Sequence, residues 1–155
     1  MAKRTYRYFN GEPLYPFGFG LSYTSFAYSG PSVDHANISA ADAATISVDV
    51  KNTGPVAGEE VVQLYLTHLG VGGAPLRALG GFARVHLDHG EKKTVKFVLR
   101  DRDLSIVDET GKHRIVRGKV DVWIGGGQPV ATSSVAKPGG AAAQFTITSE
   151  ATLPD

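Results

Sequence analysis

The sequence predicts an all-β fold, with two antiparallel sheets packed face to face and about seven strands. Three observations predict it. Apolar and polar residues alternate with a period of two in one segment after another. Glycine (19 residues) and proline (8 residues) interrupt those segments at short intervals. No helical period is sustained.

Strands are expected over 23–29, 44–52, 60–68, 79–87, 92–100, 115–124 and 143–149. In the second, Ile46, Val48 and Val50 share one face; in the third, Val62, Leu64 and Leu66 do. Val95, Phe97 and Leu99 repeat the pattern, then Val120, Val122 and Ile124, and finally Phe145 and Ile147. The turns between them have their own chemistry. Asn52-Thr53-Gly54-Pro55 supplies residues that tolerate a left-handed or fixed φ, and Asp88-His89-Gly90 offers a glycine where a tight connection needs positive φ. The Gly/Ala-rich stretch 136–143 reads as a flexible loop. The series fits an immunoglobulin-like sandwich of the constant-type arrangement, with the third and sixth strands adjacent in one sheet.

The 155 residues suffice for one domain with a real core. Hydrophobic residues make up 42% and charged residues 20%, as in ordinary globular proteins. A net charge of +1 without long charge runs argues against a nucleic-acid partner. No apolar run approaches the ~20 residues that cross a bilayer, so no membrane partner is expected. Met1-Ala2-Lys3-Arg4 is not followed by an apolar stretch, and no signal peptide is read there. The absence of cysteine removes disulfides, thiolate nucleophiles and cysteine zinc sites.

Residues 1–22 differ from the rest. Tyr6, Tyr8, Phe9, Tyr15, Phe17 and Phe19 crowd among glycines and prolines. The segment is too aromatic for a disordered tail and too broken for a helix. It reads as an extended aromatic arm, followed by a sandwich over 23–150 and a tail over 151–155.

Thr5-Tyr6-Arg7-Tyr8-Phe9 and the run from Pro13 to Thr24, Pro-Leu-Tyr-Pro-Phe-Gly-Phe-Gly-Leu-Ser-Tyr-Thr, carry a specific resemblance. So do Gly58-Glu59-Glu60-Val61-Val62-Gln63-Leu64-Tyr65-Leu66 and Leu79-Gly80-Gly81-Phe82-Ala83-Arg84-Val85-His86-Leu87. Together they resemble the fibronectin type III-like C-terminal domain of family 3 glycoside hydrolases, the β-glucosidases and β-xylosidases. The resemblance implies that catalysis belongs to two other domains of a parent enzyme. No residue here then inherits a catalytic role, and no cofactor or metal is expected. It implies a docking partner, the catalytic domains of the parent, with residues 1–22 as the interdomain connection. A periplasmic or extracellular location would follow the parent, with the cytoplasm left open. Whether that parent cleaves glucosides or xylosides is not written in this chain.

Other constellations have simpler readings. Asp101, Asp103, Asp108 and Glu109 offer paired carboxylates, but follow a strand end and read as turn charges. His86 and His89 have a metal-like spacing without a third ligand. His68 and Ser105 assemble into a triad only on paper. Gly18-Phe19-Gly20 lacks the following helix that a phosphate loop needs. Tyr65 and Trp123 stand on the outward parity of adjacent strands. They form either an outward platform for polysaccharide or lignin, together with the arm rings, or a surface that the arm or a neighbouring domain covers. The second reading is preferred.

Overall fold

The computed structural model describes residues 5–11, 13–18, 20–129 and 139–154. The expected flexible loop lies outside them over 136–138, and so does Phe19.

Among the described residues eleven strands and one short helix run in chain order: β1 Phe26–Val33, β2 Asn37–Ile38, β3 Ala44–Asn52, β4 Gly58–His68, β5 Ala78–Leu87, β6 Lys92–Leu99, α1 Asp101–Leu104, β7 Ile106–Val107, β8 His113–Ile115, β9 Gly118–Gly125, β10 Gly140–Ile147 and β11 Ala151–Thr152. One sheet has the order β1-β3-β6 and a second β2-β10-β9-β4-β5; a small third sheet, β11-β8-β7, flanks them. The pairings are antiparallel except β2 with β10, which is parallel.

The two large sheets enclose the predicted apolar set. Ile46, Val48 and Val50 of β3 meet Val62, Leu64 and Leu66 of β4, with Phe97, Leu99, Val120, Val122, Ile124, Phe145 and Ile147 filling the same core. All of these side chains are buried. Period-two alternation therefore becomes a two-layer sandwich, as the pleat requires.

Asn52 ties the layers together at one end. It accepts from Thr24 Oγ1 at 2.7 Å and from the Gly54 amide at 3.0 Å, and its Nδ2 donates to Val56 O at 2.8 Å and Leu87 O at 3.0 Å. A fully buried amide with its bonding capacity used in this way stabilises the turn that the sequence announced. The turn at Asp88–Glu91 places Gly90 at φ 75°, the left-handed region expected of it.

Five parts of the structure differ from the expected map, the first three for a visible physical cause. The first strand starts at Phe26, because Thr24 and Ser25 bond the 52–54 turn instead of a ladder. Gly140 to Ala143 are strand, paired with Val122 to Gly125; a Cβ at Gly140 would clash with the Trp123 ring, so small residues there admit the ring. The acidic run after β6 is a helical turn, in which Asp103 Oδ2 accepts the Arg100 amide at 2.9 Å. In the constant-type arrangement the fourth strand joins the sheet of the first two. Here β5 stays beside β4, in register from Gly58↔Leu87 to Leu66↔Ala78, with an irregularity at Leu64/Tyr65. Residues 151–152 pair with β8.

β6 is an edge strand. Lys93 shares the inward parity of Val95, Phe97 and Leu99, and its Nζ donates across the gap between the sheets to His86 O at 2.7 Å. No helix among the described residues is long and apolar enough to cross a membrane.

Candidate interaction surface

β4 and β9 lie side by side, and Tyr65 falls directly opposite Trp123. Both point away from the core, as the alternation requires. Tyr65 is nevertheless only 1% exposed. The arm covers it, so an open Tyr65–Trp123 platform is not what the structure shows.

The arm is held by rings and by hydrogen bonds. Tyr6 stacks on Phe17 at 4.7 Å between centroids and meets Tyr65 edge-on at 6.2 Å. The Gln128 amide donates to Phe17 O at 2.9 Å and the Leu76 amide to Arg7 O at 2.7 Å. Gln63 Nε2 reaches Gly18 O at 3.4 Å, while Tyr65 Oη donates to Gln63 Oε1 at 2.7 Å. Gly18 adopts φ 82°, and a Cβ there would collide with the Gln63 amide, so glycine lets the arm approach the sheet. Burial pushes the Tyr65 phenol up to about 12.

The remaining candidate residues are distributed unevenly. Tyr6 is half-buried, whereas Tyr8, Phe9, Tyr15 and Phe17 are exposed. Trp123 is half-buried, and its Nε1 donates to Gly127 O at 3.0 Å. One side of its ring borders an open groove of about 580 Å³ with Thr67, Asp121, Pro129 and Gln144. The arm thus joins Tyr6, Phe17 and Tyr65 into one cluster and leaves Trp123 at a separate groove.

The histidines and carboxylates make local contacts. His89 Nδ1 bonds Gly54 O at 2.6 Å, and His86 lies 3.5 Å from Asp88. Burial lowers the proton affinity of His68. Ser105 Oγ contacts His113 Nδ1 at 2.8 Å, but the hydroxyl donates to Arg102 O, also at 2.8 Å. Its proton is then directed at a carbonyl, and His113 serves as donor, the reverse of nucleophile activation. Among the described residues no three His, Asp or Glu side chains gather as a metal ligand set.

Sequence reasoning missed Glu60, Leu21 and Tyr23. Glu60 lies on the core parity of β4, where a carboxylate is out of place, and that parity was the signal. Tyr28 Oη donates to it at 2.7 Å.

Residues 60–128 match the family model of the fibronectin type III-like domain. The chain is 43% identical over 126 residues to a β-xylosidase of Formosa agariphila, covering 80% of this chain and 17% of that enzyme. It is 48% identical over 101 residues to thermostable β-glucosidase B of Acetivibrio thermocellus, covering 63% of this chain and 13% of that enzyme. Among solved structures, β-glucosidase 3B of Thermotoga neapolitana superposes with a TM-score of 0.80 at 27% identity, over 97% of this chain and 19% of that one. The chain spans less than a fifth of the length of these enzymes, and what it matches is their non-catalytic fibronectin type III-like part. The chain belongs to the fibronectin type III-like domains carried by family 3 β-glucosidases and β-xylosidases.

Proposed function

We propose that this chain stabilises the catalytic part of a family 3 glycoside hydrolase by docking on it through the aromatic arm. The arm supports this reading because it is two-sided. Its inner rings and carbonyls grip the sheet, while Leu14, Tyr15 and Phe17 of the same segment remain exposed. An arm fixed in place presents rings at a low entropic cost, which suits it to hold a neighbouring domain. Residues 1–22 are then the interdomain connection, leading into a sandwich over 23–150. The test compares the parent β-glucosidase or β-xylosidase with and without this chain. We expect a lower melting temperature and faster thermal inactivation without it. Unchanged stability in the shortened enzyme would sink the proposal.

A second reading rests on the Trp123 groove. A half-buried indole beside Asp121 and Gln144, which bond each other at 2.6 Å, offers a ring face and polar groups to a sugar polymer. Weak adsorption to cellulose, xylan or lignin is expected, with Kd about 0.1–1 mM. Trp123→Ala and Tyr15→Ala should each reduce retention in pull-downs, and salt should change it little. Retention lost in salt but kept in both variants would assign it to charge.

A further inference from the structure

Where the arm runs into β1, Leu21 is 95% and Tyr23 99% exposed, the two most exposed large apolar residues among those described. Beside them opens a cleft of about 260 Å³, lined by Ser22, Thr24, Tyr28, Glu60, Gly126 and Gly139. Glu60 is half-buried in its wall. Tyr28 Oη donates to one of its oxygens, and among the described residues no lysine, arginine or histidine pairs with the carboxylate. Burial pushes the Glu60 carboxyl up despite the Tyr28 bond, and burial beside Glu60 raises the Tyr28 phenol far above its ordinary range. A carboxylate withdrawn from water without a counter-charge is costly, and a cation entering the cleft would offset that cost.

We propose that this cleft is a cation socket, in which Glu60 receives a guanidinium or ammonium side chain from the catalytic part of a family 3 enzyme, while the exposed Leu21 and Tyr23 of the adjoining segment meet the same partner. This rests on the docking reading above. Two observations and one chemical argument favour that occupant. The matched enzymes hold more than four-fifths of their length outside the aligned portion, at 17% and 19% coverage. The cleft adjoins the arm, so the two surfaces are continuous. A neutral sugar polymer carries no cation for Glu60. Leu21 and Tyr23 alternate in sequence with the lining residues Gly20, Ser22 and Thr24 and stand outside the cleft itself, and a guanidinium fork matches a carboxylate.

Two measurements test it. The whole chain is titrated with N-acetylargininamide and followed by amide NMR shifts, with the neutral citrulline analogue as control. Shifts should centre on Tyr28, Glu60 and Gly126 and weaken at least about fivefold in Glu60→Gln, which keeps the acceptor for Tyr28. Equal shifts with citrulline, or shifts that survive Glu60→Gln, overturn the proposal. Lys137 stands two positions before Gly139 in the sequence and lies outside the described residues. Probe binding that appears only in Lys137→Ala would give the socket to the chain's own lysine, and would also overturn it.

The second measurement is association with the separately expressed catalytic part of the parent enzyme. Glu60→Gln should weaken it about tenfold. Tyr23→Ser, whose ring is almost wholly in solvent, should weaken it without unfolding the chain. Wild-type association unaffected by Glu60→Gln defeats the socket and leaves the docking reading standing. No wild-type association defeats both. Self-association lost in Tyr23→Ser would assign the surface to a second copy of the chain and overturn the proposal.

Discussion

On its inner face β4 presents Val62, Leu64 and Leu66 to the opposite sheet; on its outer face it presents Gln63 and Tyr65 to the arm. At these residues both faces are dry, but they are dried by different means. The inner face is covered by apolar side chains of β3 and β6 in the opposite sheet, whose attraction is non-directional and scales with area. The outer face is covered by a chain segment without regular structure, so its carbonyls need named donors: Gln128, Leu76 and Gln63 supply them. The difference teaches that the core confers stability, whereas the arm's position depends on a few replaceable bonds.

The largest effect should come from the core. Phe97→Ala removes a ring packed between the sheets and should cost about 3–5 kcal/mol in urea unfolding. A loss below about 1 kcal/mol would show that the ring contributes little to the inner face. Tyr6→Ala should cost less, about 0.5–1.5 kcal/mol, through its contacts with Phe17 and Tyr65. Hydrogen exchange should then quicken at the Leu76 and Gln128 amides and stay slow in β3 and β9. Equal acceleration everywhere would break the comparison, since arm and sandwich would open as one unit.

The smallest effect sharpens the boundary between the two regions. Glu60 has its proton affinity raised by folding. Its contribution to stability is therefore fully present below the ordinary glutamate range and is lost as pH rises through the raised value. Glu60→Gln removes that loss. The variant should match wild type in acid and be more stable at neutral pH, by less than about 1 kcal/mol because the carboxyl is partly solvated. A variant less stable at neutral pH would mean that a cation already pairs with Glu60.

The inward sets of β3, β4, β6, β9 and β10 were legible because alternation reports which face a residue takes. It does not report which strand lies alongside, so the placement of β5 beside β4 was out of reach. The aromatic arm was legible as a cluster of rings among glycines and prolines. Its seat was not, because Phe17 meets Gln128 across more than 100 positions of chain, beyond any local pattern. Glu60 was hidden differently: it was read as part of a strand motif, and its charge at a core position passed without notice. Leu21 and Tyr23 sat inside the resemblance, where their exposure had no signature.

Lys93 bears on how copies of this domain avoid one another. An edge strand offers unpaired amides and carbonyls to any extended chain, and rows of such edges are where β-proteins join into fibres. β6 carries a lysine on its inward parity, tethered to the carbonyl of His86 on the facing sheet. A foreign strand adding to β6 would extend the sandwich over that ammonium and trap it away from water. The cost of trapping it would weigh against strand addition at this edge of the sandwich.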